Sequence, residues 1–207
     1  MALRSTFAWV AVALAALVSG CQSTTLRSAW FDTEFTGPPL RKIVVSGDGL
    51  STAEGRVFED MFVQKLRAAG VDAVAGHSAG LDANLANDAF VAAVTKTGAQ
   101  GLLFVRLLGV DNRTQISTTM VHGGMGWGRD PWGTSWGGAT RMMVPVQQVT
   151  QYDLAAVETK LFHVQTKQLL WAATTSTLNP TTVARETPAF AELIIGQLAS
   201  RNIIERK

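Results

Sequence analysis

The stretch whose residue types could most directly do chemistry is Gly133-Thr134-Ser135-Trp136-Gly137, a G-x-S-x-G pattern, with Asp153 and His163 downstream. That order would supply a serine nucleophile, an acid and a base for hydrolysis through a covalent acyl-enzyme. The chemistry needs the serine lifted on a strained strand-to-helix turn, with backbone N–H groups beside it to hold the oxyanion. Asp130-Pro131-Trp132 precedes the pattern and Gly138-Ala139-Thr140 follows it, so neither a strand nor a helix flanks Ser135. A glycine-rich segment generates such a pattern cheaply. Ser135 is therefore expected not to be a nucleophile and the protein not to be an enzyme, with a serine hydrolase using Ser135 as the alternative.

Other chemistry-bearing residues are scattered. His77, His122 and His163 stand at no metal-ligand spacing from one another or from Cys21, the one cysteine of the chain. Each reads as a surface or turn histidine, and no metal is expected. Gly124-Met125-Gly126-Trp127-Gly128 lacks the third glycine and the capped helix of a dinucleotide site, so no cofactor is expected. Glu59 and Asp60 are adjacent helical positions that face apart, and both read as solvated surface. Arg106 interrupts an apolar run and reads as an arginine reaching out at a strand end to a carboxylate.

Residues 122–138 hold seven glycines and three tryptophans in seventeen positions and will not form a regular element. The segment reads as a loop between two strands. Its tryptophans either fold back on the protein or form a contact surface. Trp127, Trp132 and Trp136 are the candidate partner-binding residues, because each ring joins an apolar body to a polar N–H. A membrane interface, a glycan strand and an envelope protein are the partners this chemistry suits.

The elements that must position these residues follow from periodicity. Ile43-Val44-Val45 before Gly47-Asp48-Gly49 is a short strand and its turn. Ser51-Thr52-Ala53-Glu54 is a capping box, in which Ser51 accepts an early helical N–H and Glu54 reaches back to the Ser51 N–H. Phe58, Met61, Phe62, Leu66 and Ala69 then mark one helical face, which Gly70 ends in the left-handed conformation. Val71 to Ala75 is a second strand, and a second helix starts at Asn87. Leu102 to Leu108 is apolar on both pleat faces, the pattern of a central strand covered on both sides. Thr114 to Met120 alternates, as for a strand leaving the core. Met142 to Val149 and Asp153 to Val164 read as extended, and Leu169 to Leu178 as the return strand of a hairpin. A last helix is capped by Thr187, with Pro188 in its first position and Phe190, Leu193, Ile194 and Leu198 inward.

The start of the chain carries a different kind of signal. Met1-Ala2-Leu3-Arg4 is a short basic n-region, and Phe7 to Val18 is an apolar run of twelve residues, too short for a membrane-spanning helix. Leu17-Val18-Ser19-Gly20-Cys21 then resembles the lipobox of bacterial lipoproteins. The resemblance implies cleavage before Cys21 and lipid on its thiol. Gln22, in place of the Asp that tends to retain such proteins at the inner membrane, implies the outer membrane, facing the periplasm. Several acyl chains, each stabilised by about 0.8 kcal/mol per buried CH₂, would anchor the protein stably. Removing residues 1–20 leaves 207 − 20 = 187 residues with 17 basic and 16 acidic side chains, since Arg4 is lost. No basic stripe points to nucleic acid. With Cys21 acylated no thiol remains for a disulfide, so the core alone must hold the fold.

The expected organisation is a signal peptide at 1–20, a tether at 21–40, whose second half is expected to pack on the domain through Trp30, Phe31 and Phe35, and a single α+β domain at 41–207. Its fold is a mostly antiparallel mixed sheet with helices packed on it, in the order β-α-β-α-β-β-β-α. The hairpin from Val157 to Trp171 resembles a recurring feature of proteobacterial envelope lipoproteins, a strand ending in a D-x-x-T-G-x-L-x-W turn. Here the acidic position reads as His163 and the glycine as Gln168. Over residues 41–205 the order of elements resembles the small α/β domain of the TolB amino-terminal region and the curli-secretion lipoprotein. These motifs are structural and imply no catalytic residues. The curli-secretion resemblance also implies a hairpin lengthened into a membrane-spanning ribbon, for which Thr114, Ile116, Thr118 and Met120 are too polar.

Overall fold

Ile43, Val44 and Val45 are wholly buried, and successive side chains of a strand point to opposite faces, so the sheet that holds them must be covered on both sides. The computed structural model describes residues 24–81, 87–122 and 143–205, with backbone alone for 87, 116, 119–122 and 143–148. In chain order the elements are β1 (Thr24–Phe31), β2 (Lys42–Asp48), α1 (Thr52–Ala68), β3 (Asp72–Ala75), a 3₁₀ turn (His77–Ala79), α2 (Asn87–Lys96), β4 (Gly101–His122), β5 (Met143–His163), β6 (Leu169–Leu178) and α3 (Val183–Ser200). The strands lie in one mixed sheet in the order β1-β6-β5-β4-β2-β3. Strand β2 is parallel to both β3 and β4, and the other pairs are antiparallel. The fold is α+β, and from β2 onward its elements follow the expected order.

Helices α1 and α3 cover one face. Ile43 and Val45 pack there with Leu103, Leu161, Trp171, Phe62, Leu66, Ile194 and Leu198, all nearly or wholly buried. Phe58, Phe62 and Phe190 meet at ring-centroid distances of 5.7–6.0 Å, which ties the two helices together over the sheet. On the other face, α2 covers Val44 and Leu102 through Phe90, Ala93 and Val94. Of the stretch from Leu102 to Leu108 read as central and covered on both faces, Leu102 to Val105 is so covered, whereas Leu107 is half-buried and Leu108 is exposed, because the covering helices end before them.

Helix α1 begins at Ser51, whose hydroxyl accepts from the Glu54 N–H. The Glu54 carboxylate takes the Ser51 hydroxyl at 2.7 Å, not the Ser51 backbone N–H that a capping box would use. Gly70 follows the helix at φ +89°, in the left-handed region. Helix α3 starts earlier than its sequence suggested. Thr182, not Thr187, is the cap and accepts from the Arg185 N–H, which leaves Pro188 inside the helix. Proline there deletes one backbone bond. The burial of Phe190, Ala191, Ile194, Ile195 and Leu198 outweighs that loss.

Residues 24–31 do not belong to a tether. They form β1, an edge strand antiparallel to β6, from Thr24↔Thr177 to Phe31↔Trp171. A bulge between Leu26 and Ser28 shifts the inward positions by one, so Leu26 and Phe31 both reach the core although an odd number of residues separates them. Leu40, at the end of the expected tether, is also buried and donates its N–H to the Ile203 carbonyl.

Strands β4 and β5 are single strands of 22 and 21 residues, paired from Gly101↔His163 out to His122↔Met143. The two segments read separately at 142–149 and 153–164 are therefore one strand. Strand β6 supports β5 only as far as Leu154, and β2 supports β4 only as far as Arg106. From Asn112↔Asp153 outward neither strand pairs with a third among the described strands, and Asp153 itself exchanges hydrogen bonds with Asn179 just past the end of β6. These eleven pairs make a two-stranded ribbon roughly 35 Å long, at about 3.3 Å per residue. Among its described side chains, Asn112, Arg113, Thr114, Gln115, Ser117 and Thr118 are all exposed.

The 157–171 hairpin turns through residues 164–168. Lys167, not Gln168, takes the left-handed conformation, at φ +57°. It occupies the position that the turn pattern gives to glycine.

Candidate functional site

The hydrolase constellation cannot assemble. Ser135 lies outside the described residues, but Asp153 and His163 do not, and both belong to β5. Ten residues of extended strand separate them by roughly 33 Å. A catalytic acid must hydrogen-bond its histidine. Instead, His163 Nδ1 lies 3.0 Å from the Thr166 hydroxyl in the hairpin turn, and Asp153 accepts from the Asn112 amide at 2.9 Å. His163 is a turn histidine, as its sequence position suggested. The side chain of His122 lies outside the described residues.

Glu59 departs from its sequence reading. It is 5% exposed and acts as a buried bracket. One carboxylate oxygen accepts the Gly47 N–H at the end of β2, at 2.9 Å. The other accepts the His77 backbone N–H at 2.7 Å and faces His77 Nδ1 at 2.9 Å. Asp60, the exposed neighbour, approaches the far side of the same ring, with Oδ1 3.4 Å from His77 Nε2. Adjacent carboxylates on α1 thus flank one imidazole. The sequence signal was present in retrospect: Glu59 directly follows Phe58 on the inward face, and Gly47 and Gly76-His77 follow the two strands beside α1. No nucleophile stands at this cluster among the described residues. It fixes α1 to the ends of β2 and β3.

Arg106 behaves as expected. Its Nε donates to Asp48 Oδ2 at 2.7 Å, and its guanidinium stands 5.3 Å from the centre of the Phe104 ring.

A cleft opens where β4 and β5 leave the sheet and the N-termini of α1 and α3 come together. Its volume is about 380 Å³, within the range of small-ligand sites. Phe58, Val105, Leu107, Val110, Val157 and Phe190 form the apolar part of its lining. Gly49, at φ +79°, lets the β2–α1 loop run so close to β4 that a Cβ there would stand 2.7 Å from the Leu107 carbonyl oxygen. The cap residues Ser51 and Thr182 both line the opening, as do Asp48, Glu54, Asp153 and Glu186.

The start of β1 and the ribbon share one end of the sheet. Strand β6 runs toward the ribbon base, ending opposite Leu154, and β1 runs the other way. Thr24 therefore starts at the ribbon end, where its hydroxyl bonds that of Thr177 at 2.8 Å. Cys21 lies outside the described residues, three positions before Thr24 in the chain. Trp127, Trp132 and Trp136 also lie outside the described residues. They belong to the segment 123–142 that joins the paired residues His122 and Met143 at the ribbon tip. No described helix is long and apolar enough to cross a membrane.

No protein-family model matches the chain, and no curated protein matches it in sequence. Solved structures resemble it in outline. A PelC dodecamer from Paraburkholderia phytofirmans aligns with 89% of this chain and 99% of its own, at 16% identity and a TM-score of 0.44. A point variant of the same protein aligns with 87% of this chain and 99% of its own, at 14% identity and a TM-score of 0.45. Lipoprotein GNA1162 from Neisseria meningitidis aligns with 77% of this chain and 98% of its own, at 10% identity and a TM-score of 0.38. At these identities and scores the likeness adds nothing to what the chain's own residues say about function.

Proposed function

We propose that the protein is a lipoprotein of the bacterial outer membrane, anchored through Cys21 and facing the periplasm, that binds or scaffolds and does not catalyse. The observation that carries this reading is the meeting of two features at one end of the sheet. The lipobox cysteine precedes Thr24 by three residues, and Thr24 lies where the ribbon leaves. Lipid on Cys21 brings the bilayer to that end, so the ribbon runs toward or along the membrane. Trp127, Trp132 and Trp136 belong to the segment that joins the two strands at the far end of this ribbon, which is roughly 35 Å long. Tryptophan is favoured at a membrane interface, its ring apolar and its N–H still able to reach water or a headgroup. The wide separation of Asp153 from His163 supports the non-catalytic half of the reading.

The test has three parts. Cys21→Ser is expected to leave a product that is unprocessed or no longer held to membranes; unchanged mass and fractionation would end the proposal. The triple variant Trp127→Ala, Trp132→Ala, Trp136→Ala is expected to keep the parent's melting temperature and to lose contacts worth on the order of 1–3 kcal/mol per ring. Retention of every envelope interaction of the parent would reduce the segment to a linker. A fluorophosphonate probe is expected to give no labelling that Ser135→Ala abolishes; labelling of that kind would restore the hydrolase.

A further inference from the structure

The cleft at the ribbon base has a sign of charge as well as a shape. Asp48, Glu54, Asp153 and Glu186 line it, and no Lys, Arg or His does. Three neighbouring positive contributions oppose these carboxylates. Arg106 is bonded to Asp48, and the N-termini of α1 and α3 contribute roughly half a charge each. With Glu186 left aside, the three other carboxylates against about two positive charges leave a net of about −1 at the mouth of an apolar cavity. Each helix end is capped by this chain: the Glu54 N–H bonds the Ser51 hydroxyl and the Arg185 N–H bonds the Thr182 hydroxyl. An anionic ligand would meet repulsion from the carboxylates.

The wall is also wetter than a finished core would leave it. Val110 is 53% exposed although it stands beside the buried Ala155, and Leu107 is only half-buried. An aliphatic body lying against Val110, Leu107 and Val157 would cover apolar surface that the fold leaves open.

We propose that this cleft binds a small amphiphile with an aliphatic body of about eight carbons and a cationic head. The body lies between α1, α3 and the first outward residues of β4 and β5. The head stays at the rim, where Asp153 and Glu54 face it from opposite walls. The site does not depend on the tryptophan segment, and it would stand if the contact role of that segment failed.

The full-length chain, in lipid nanodiscs or in buffer according to how it fractionates, is titrated with octyltrimethylammonium by calorimetry, with the same carrier lacking protein as blank. One saturable site per chain is expected. Octanoate is expected to bind at least roughly tenfold more weakly, because the same charges that attract the cation repel the carboxylate. Val110→Trp, which fills the mouth from an exposed position, is expected to abolish the site. The pair Asp153→Asn and Glu54→Gln, which keeps an acceptor oxygen at each position, is expected to weaken the cation by roughly three- to tenfold and to leave neutral octanol unchanged. The proposal is overturned if octyltrimethylammonium shows no saturable heat, if octanoate binds equally well, or if Val110→Trp binds as the parent does.

Discussion

The inner and outer halves of β4 and β5 share one unbroken ladder, yet they are different materials. In the inner half Leu103 and Leu161 are wholly buried beneath α1 and α3. In the outer half Val149 is 58% exposed, and the described neighbours are polar. The backbone pairing is the same in kind, so the ladder does not make the difference. Each backbone bond contributes only about 0.5–1.5 kcal/mol net, because water competes for the same groups. A two-stranded ribbon with no covered face is marginal by itself. The inner half is held by what packs on it. The outer half is held by its continuation into the inner half.

The sharpest way to break this comparison is to remove packing from the inner half. Trp171 is 1% exposed and sits in the main core, opposite Leu161 and Phe31. Trp171→Ala is expected to cost roughly 3–5 kcal/mol, from lost burial plus the cavity left behind. Urea unfolding of the variant measures it. A cost under about 1 kcal/mol would mean that the inner half is not held by its core.

The next largest effect concerns how the helix layer is fixed to the sheet. Glu59→Leu keeps the bulk but leaves the Gly47 and His77 N–H groups without their carboxylate. The expected loss is roughly 2–4 kcal/mol, because a buried donor without a partner bears its whole desolvation cost. Thermal unfolding checks it, and Asp60→Leu, at the exposed position, is the control expected to change little. Equal effects at the two positions would return Glu59 to the solvated surface.

The same contrast explains what the sequence disclosed. Elements whose side chains alternate or recur cleanly against a core were legible: β2, the inward face of α1 with its Gly70 stop, the two-sided start of β4, and the β5–β6 hairpin. Those whose pattern is interrupted were not. The bulge at Arg27 moves the apolar residues of β1 out of step, so a strand looked like a tether. Pro188 looked like a helix start because proline is commonest there, whereas packing of α3 onto the sheet tolerates it further in. The outer ribbon buries nothing of its own, so hydrophobic periodicity gave its course but not its continuity. Glu59 was missed because a carboxylate beside another carboxylate reads as surface, and only the closing of β2 and β3 around α1 buries it. Of the candidate site residues, the fate of Asp153 and His163 was decided by one fact, that a single strand carries both. The cleft had no linear signature, because its lining comes from four separated stretches of chain.

The smallest effect gives the finest test. Valine and threonine have nearly the same shape and are both β-branched, so exchanging them in a strand changes mainly polarity. Val45→Thr, at a position with no exposure in β2, places a hydroxyl in the main core and is expected to cost roughly 1–3 kcal/mol. Val149→Thr, at 58% exposure on the ribbon, is expected to stay within about 0.5 kcal/mol in the isolated chain. The two variants share chemistry, strand propensity and volume, so the difference between them reads burial alone. Measured as binding to lipid vesicles, Val149→Thr then asks what covers the ribbon. A loss of affinity for vesicles, with stability in solution unchanged, would put this stretch of β5 against lipid. If instead Val149→Thr costs as much as Val45→Thr in the isolated chain, the ribbon is already covered by the protein itself and the two halves of β4 and β5 are alike after all.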